Sequence, residues 1–403
     1  MNIPLSSPDV GEREIEYVSA VLRSQQLSLG PWLNRFEEGF AEYAGTRYAV
    51  AASSGTAALH MCVRAMEIGP GDEVITSPFS FVASVNCILY EGATPVLLDI
   101  DRETYNLAPE KLREFLKHGC ARQKDGRVVN LKTGQTVKAI LPVHVFGLPC
   151  EMDAIDEIAG EYGLMVLEDA CEAIGAKYQG RMAGTFGDAA VFAFYPNKQM
   201  TSGEGGMIVT NDDAIASQCR SLRNQGRDEN GRWLTHVRLG FNYRLSDVHC
   251  ALGLAQLERI EELLAAREAV AAEYSGVLAN SKAIRLPADV KDAERSWFVY
   301  VVEAAGEPGS AARDRVRSRL QEAGIASQVY FPAIHRQAYF AEYRSEIPMP
   351  LPNAESAADT CLAIPFSGRM TKQEIATVCK ELESAIAVDS RTLTEPTSAA
   401  VPA

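Results

Sequence analysis

One lysine of this chain stands in a setting unlike that of a solvated surface residue. Lys198 follows the apolar run Phe192-Ala193-Phe194 and precedes the glycine-rich turn Ser202-Gly203-Glu204-Gly205-Gly206. Taken singly, a lysine is nearly always a surface residue. Held between a buried strand and a turn that lets two backbones meet, it is desolvated, and desolvation favours the neutral, nucleophilic amine. Upstream, an apolar run over 164–167 ends in Glu168-Asp169, with Glu172 three residues further on. Acids just beyond the carboxyl end of a strand face the ligand crevice of an open α/β sheet and can meet a cationic group there. The other reading, favoured for Glu168 because its side chain points opposite to that of Asp169, is a cap for the following helix. A third stretch, Ser53-Ser54-Gly55-Thr56-Ala57-Ala58-Leu59, follows a strand and opens a helix. Small residues admit a ligand close to the backbone, and the free amides of a helix start attract an anion. The same residues would also serve an ordinary capped, closely packed helix.

These groups need a frame. Short apolar runs recur at 48–52, 73–76, 95–100, 137–143, 164–169, 189–195 and 207–210. Being apolar on both faces, they read as strands covered on both sides, and their alternation with helical patterns predicts an α/β domain with a mostly parallel sheet. Asp9 followed by Glu12 reads as a capping box opening a helix with Ile15, Val18 and Leu22 on one face. A second amphipathic stretch carries Phe36, Phe40 and Tyr43. Residues 117–136 are polar and turn-rich and predict a hairpin or loop protruding from the domain. One long helix is expected over about 247–278, leading to a smaller α+β domain that extends to 388. Residues 389–403, rich in Thr, Pro, Ser and Ala, predict a disordered tail.

In this order the three chemical stretches resemble the fold-type I pyridoxal-phosphate enzymes and, more narrowly, the DegT/StrS family of nucleotide-sugar aminotransferases. Further segments carry the resemblance: Gly69-Pro70-Gly71-Asp72-Glu73-Val74-Ile75, Pro142-Val143-His144-Val145-Phe146-Gly147, Gly184-Thr185-Phe186-Gly187-Asp188 and the run from Arg238 to Asp247. It spans roughly residues 5–382. It implies a large domain over 1–255 with a mostly parallel seven-stranded sheet, and a small α+β domain over 256–388. It also implies pyridoxal 5′-phosphate as cofactor. Lys198 matches the Schiff-base lysine that shuttles protons, and Asp169 the acid paired with the pyridine nitrogen, which keeps the ring protonated and electron-accepting. Gly55 and Thr56 match the phosphate turn, and Phe81 the aromatic against the ring face. Asn242 matches a residue that reaches the phosphate from a second subunit, so the resemblance implies a homodimer with shared active sites.

Two positions depart from the commoner family pattern. Ala193 stands where a serine often donates to the phosphate, so the helix-start amides must carry more of the anchoring. Glu172 stands where glutamine is frequent, near the phenolic oxygen; an acid there is repelled unless protonated or turned away. His335 matches a position near the substrate, or is a plain loop histidine, and His144 reads as structural. Arg181, Arg227 and Arg244 are candidates for gripping a substrate diphosphate, each open to being a surface residue. The resemblance implies an amino donor, glutamate, and a keto-sugar acceptor carried on a nucleotide. The stretch from Lys198 to Gly206 is closer to the 4-amino enzymes than to the Lys-Asn-Leu-Gly type of the 3-amino enzymes. A 4-keto-6-deoxyhexose is therefore expected, with a 3-keto sugar as the alternative.

The remaining numbers narrow the class. A net charge of −14 disfavours non-specific nucleic-acid binding, which needs a positive surface. The nine cysteines are scattered, with neither a CxxC pair nor a metal-type spacing. Several, such as Cys62 and Cys87, lie in apolar runs and read as buried thiols in a reducing cytoplasm. Met1-Asn2-Ile3-Pro4 opens no signal peptide, and no apolar stretch reaches the roughly 18–20 residues of a membrane span. Two rivals share the fold. A carbon–sulfur lyase or desulfurase needs a reactive cysteine, and none adjoins Lys198 in sequence. A non-catalytic regulator would have no need of Lys198 and Asp169 together.

Overall fold

The computed structural model of the protein describes residues 2–228, 231, 234–304 and 309–392. Helices α1 (Glu12–Ser24) and α2 (Pro31–Ala44) lead into strand β1 (Tyr48–Ala52) and helix α3 (Gly55–Ala65). Then follow β2 (Asp72–Thr76), α4 (Ala83–Tyr90), β3 (Thr94–Leu97), α5 (Pro109–Gly119), β4 (Cys120–Arg122), β5 (Val128–Asn130), β6 (Thr136–Ile140), α6 (Met152–Tyr162) and β7 (Met165–Asp169). The short β8 (Lys177–Tyr178) and β9 (Arg181–Met182) precede β10 (Ala189–Ala193), β11 (Gly206–Thr210) and α7 (Asp213–Arg223). The chain then runs through α8 (Asp247–Leu257), α9 (Ile260–Leu278), β12 (Ile284–Arg285), β13 (Ala293–Glu294), β14 (Tyr300–Ala304), α10 (Ser310–Glu322), α11 (Pro352–Thr360), β15 (Cys361–Ile364) and α12 (Lys372–Thr392).

The main sheet runs β1-β11-β10-β7-β6-β2-β3, with β10, β7, β6, β2 and β3 parallel and β11 antiparallel to both of its neighbours. The expected seven strands are all present, each apolar run beginning or ending within a few residues of its strand. The hairpin expected in 117–136 forms, with an exposed tip and a base that joins the main sheet. Strand β5 pairs Val128 and Val129 with Val137 and Thr136 at the start of β6, extending the sheet to nine strands. Helix starts follow local chemistry: Ser54 accepts from the Ala57 amide, Asp212 from those of Ala214 and Ile215, and Pro31 and Pro109 open α2 and α5.

Three expectations are corrected. Helix α1 is boxed by Glu14, whose Oε2 accepts from the Gly11 amide at 2.8 Å, and not by Asp9 and Glu12. Val21 and Glu14 are its buried residues, whereas Ile15 and Leu22 are more than half exposed. Glu14 turns inward because Gln256 and Arg259 bind its other oxygen. The long helix is broken at Glu258-Arg259, so that α8 packs on α1 and α2 while α9 takes a new course. Helix α12 continues to Thr392, past the expected start of the tail, and residues 393–403 lie outside the described residues.

Helix α9 contributes to two cores. The first half of α9 gives Ile260 and Leu263 to the core that holds Phe36, Phe40 and Phe192. Its second half gives Val270, Tyr274 and Leu278 to the small-domain core with Tyr300 and Leu320. Ile3 joins that same core and bridges Ile325. A second tie is buried Glu303 on β14. It takes a two-pronged bond from Arg102 at 2.6 and 2.5 Å, the hydroxyl of Tyr105, and Thr360 Oγ1 at 3.0 Å.

Candidate active site

At the carboxyl ends of the parallel strands lies a cavity of about 410 Å³, within the range of small-molecule sites. Lys198 reaches it from the turn-rich link between β10 and β11, where its amide donates to Tyr195 O at 2.9 Å. The lysine side chain is 13 % exposed. Its Nζ lies 3.5 Å from Glu172 Oε1 and 3.8 Å from the centre of the Phe298 ring. Asp169, the last residue of β7, is buried on the same cavity and accepts from the Cys171 amide at 3.1 Å. Burial pushes its carboxyl above the ordinary range, opposed by the Cys171 hydrogen bonds and the charge of Lys198. Burial likewise raises Glu172; Lys198 and the Phe146 amide, which donates to it at 2.9 Å, pull the other way.

Gly55 and Thr56 begin α3 at the opposite wall. A Cβ on Gly55 would come within 2.8 Å of the Ala193 Cβ and 3.0 Å of Cys171 Sγ, so the backbone approaches β10 as only glycine allows. Ala193 therefore packs under the helix start. Phe81 lines the mouth and is 61 % exposed.

The structure brings Lys198, Asp169, Glu172, Gly55, Thr56 and Phe81 to one cavity. Five other candidates lie away from it within the chain, among them Arg227, whose backbone bridges His236. Asn242 is exposed, and its backbone bridges Asn224. Arg244 donates to Asn224 Oδ1 at 3.0 Å. His335 is buried with its Nε2 3.0 Å from Glu355 Oε1. Arg181 stacks on Phe186 and bonds Thr185. Glu168 caps no helix: fully buried, it accepts from the amides of Gly184, Phe186 and Gly187 and faces His144 Nε2 at 3.0 Å. A buried carboxylate so close favours a charged imidazole. However, the Cys150 amide donates to His144 Nδ1 at 3.0 Å and needs a lone pair there, so the ring is neutral with its proton on Nε2.

Sequence reasoning missed Phe298, Tyr330 and Cys171, which also line the cavity. Tyr330 lay within the segment holding His335 and could have been picked out; Phe298 has no local signal. Cys171 answers the lyase argument differently from sequence adjacency. A thiol does face this cavity, but burial and the charge of Asp169 push it well above its ordinary value, which disfavours a thiolate nucleophile. Among the described residues no group of three His, Cys, Asp or Glu is placed to hold a metal, and no helix is long and apolar enough to cross a membrane.

The arrangement can bind a flat anion-bearing molecule. Helix-start amides suit a phosphate, a buried acid suits a cationic ring nitrogen, and an amine stands within reach. Comparison with known proteins agrees. The model of the DegT/DnrJ/EryC1/StrS aminotransferase family matches residues 8–383. A GDP-perosamine synthase of Caulobacter vibrioides is 39% identical over 386 residues, covering 95% of this chain and 98% of that one. Another GDP-perosamine synthase, from Escherichia coli O157:H7, is 32% identical over 382 residues, covering 94% and 97%. The crystal structure of S. venezuelae DesV in complex with a ketimine intermediate superposes with a TM-score of 0.82 at 31% identity, over 96% of this chain and 98% of that one.

Proposed function

Since the chain belongs to the DegT/DnrJ/EryC1/StrS aminotransferase family, we propose that it transfers an amino group from glutamate to a 4-keto-6-deoxyhexose linked to a nucleotide. The observation that carries this reading is the meeting of Lys198, Asp169 and the Gly55-Thr56 helix start around one cavity. When bound, pyridoxal 5′-phosphate supplies the aldehyde that takes up the amino group and the ring that accepts electrons. The chain's own residues do the rest. Gly55 and Thr56 hold the phosphate with main-chain amides. Asp169 holds a proton at the ring nitrogen, where its otherwise costly buried charge finds a partner. Lys198 Nζ carries the proton between carbons, and Glu172 lies close enough to bias the charge on that amine. Phe81 covers one ring face.

The acceptor reading draws on the name GDP-perosamine synthase borne by two relatives, in which a nucleoside diphosphate carries the sugar. It also draws on the Lys198–Gly206 stretch. We place Asn242 and Arg244 in the site of a second subunit. They lie on a stretch whose Val237 and Leu239 are 55% and 76% exposed, surface that a partner chain would cover. His335 is kept as a residue that steers substrate through the Tyr330–His335 segment. The cytoplasm suits nine free cysteines. The test is a screen of nucleotide-linked 4-keto and 3-keto sugars with glutamate, reading the amino sugar by mass. A higher kcat/KM for the 3-keto substrate overturns the ring position. No product with any keto sugar overturns the acceptor class.

A further inference from the structure

Arg267 is buried at 5 % exposure and makes no ion pair with a carboxylate among the described residues. A guanidinium taken out of water with no carboxylate in contact, and only Asp9 acting on it at longer range, is costly, so its hydrogen bonds must do most of what a carboxylate would otherwise do. All four go to main-chain carbonyls on two separate segments. One nitrogen donates to Lys198 O at 2.7 Å and Asn197 O at 3.4 Å. The other donates to Phe298 O at 3.2 Å and Trp297 O at 3.4 Å. The first segment is the base of the lysine side chain; the second carries the ring over which Lys198 Nζ rests.

We propose that Arg267 is the positioning residue of the reaction, fixing the lysine turn and the Phe298 segment to each other so that Nζ of Lys198 is aimed into the cavity. Its place in the fold suits this. Arg267 stands on α9 between Leu263, in the large core, and Val270, in the small one. The planar fork bridges the two segments because its donors are fixed in one plane. Gln199, next to the lysine, makes a second tie to the same small-domain approach: its Nε2 donates to Glu172 O at 2.6 Å and to Ser296 Oγ at 3.0 Å. Arg267 is then the upper clamp of a lysine loop whose lower clamp is Gln199. Burial pulls the guanidinium down to about 10, which leaves it charged at neutral pH.

The inference rests on Lys198 being the residue to which the cofactor attaches. It is tested with the full chain, wild type and Arg267→Met, Arg267→Lys and Arg313→Met. Arg313 is the control, a buried arginine on α10 that donates to the carbonyl of Ala358 in the small domain, away from the cavity. Three quantities are read: steady-state kinetics, the fraction of Lys198 peptide carrying borohydride-reduced cofactor, and labelling of Lys198 by an amine-selective reagent in cofactor-free protein. Arg267→Met should lower kcat about 100-fold with KM changed less than threefold, lower the trapped fraction, and alter Lys198 labelling. Arg267→Lys should recover under a tenth of the lost turnover, because an ammonium cannot span both segments. Arg313→Met should lower Tm and leave all three readouts unchanged. If Arg267→Met matches wild type, or loses no more than Arg313→Met, the inference is wrong. Should Arg267→Met not fold, full recovery in Arg267→Lys overturns it equally. A wild type that yields no trapped Lys198 peptide sinks the reading of Lys198 instead, a separate outcome.

Discussion

The Glu172 carboxylate lies 3.5 Å from the Lys198 amine, at the position where the family more often has an uncharged amide. In Glu172→Gln the amide oxygen keeps the bond from Phe146, and the negative charge beside Nζ is gone. We expect cofactor binding to persist and the midpoint of the pH-dependent visible spectrum to fall by about one unit, because an opposite charge at this distance favours the protonated nitrogen. An unmoved midpoint means that Glu172 faces elsewhere once the cofactor is bound.

Asp169→Asn separates catalysis from stability. Turnover should fall about 100- to 1,000-fold, the usual loss for one preorganised electrostatic partner, while the phosphate contacts at Gly55 and Thr56 persist. Stability without cofactor should move the other way. Burial raises the folded-state pKa of Asp169, so the native chain binds a proton that the unfolded chain has already released. The group's favourable contribution is therefore full below about pH 4 and is lost as pH rises through the raised value. Asp169→Asn should raise the Tm of cofactor-free protein at pH 8 and change it little at pH 4. A lower Tm at both pH values would contradict the assignment of burial as the cause.

Gly55→Ala tests the cradle. The added methyl meets Ala193 and Cys171 at 2.8 and 3.0 Å, so the start of α3 must retreat from β10. Pyridoxal phosphate affinity should drop about 10- to 100-fold, or roughly 1.4–2.8 kcal/mol. Titration of apoprotein by absorbance measures it. Wild-type affinity would show that the helix-start amides do not hold the phosphate.

Lys198→Ala and Asn242→Ala chains, each inactive alone, should complement when mixed and allowed to exchange. Random pairing makes half the dimers mixed, and each mixed dimer holds one intact site of two. About a quarter of wild-type activity is expected. Mixed dimers that form and stay inactive rule out a site built from two subunits.

Much of the sheet could be read from the chain because strands covered on both faces are apolar throughout, as in residues 189–193, where no turn chemistry competes. Lys198, Asp169 and Gly55 were legible for a related reason: each sits at a strand end, where local pattern and position in the fold coincide. Contacts made at long range were not legible. Glu14 turns inward because Gln256 and Arg259, more than 240 residues on, satisfy it, and no helical period contains that. The same Arg259, tied to Asp9 and Glu262 as well, sits at the break between α8 and α9. Phe298 reaches Lys198 from a segment a hundred residues further on, and Glu168 takes three distant amides because no helix follows its strand before α7.

The grip of Arg102 and Tyr105 on Glu303 spans the two domains, while Thr360 holds the same carboxylate from beside β15, the strand paired with β14. Opening the small domain like a clamshell would strip a buried carboxylate of Arg102 and Tyr105 together and leave it, of the three, only Thr360, a cost of several kcal/mol. Entry and departure of a bulky sugar nucleotide are left to side chains and loops at the mouth, where Phe81 and Tyr195 are already more than half exposed. A lattice of this protein should accordingly survive soaking with substrate, since the two domains need not part for it to enter.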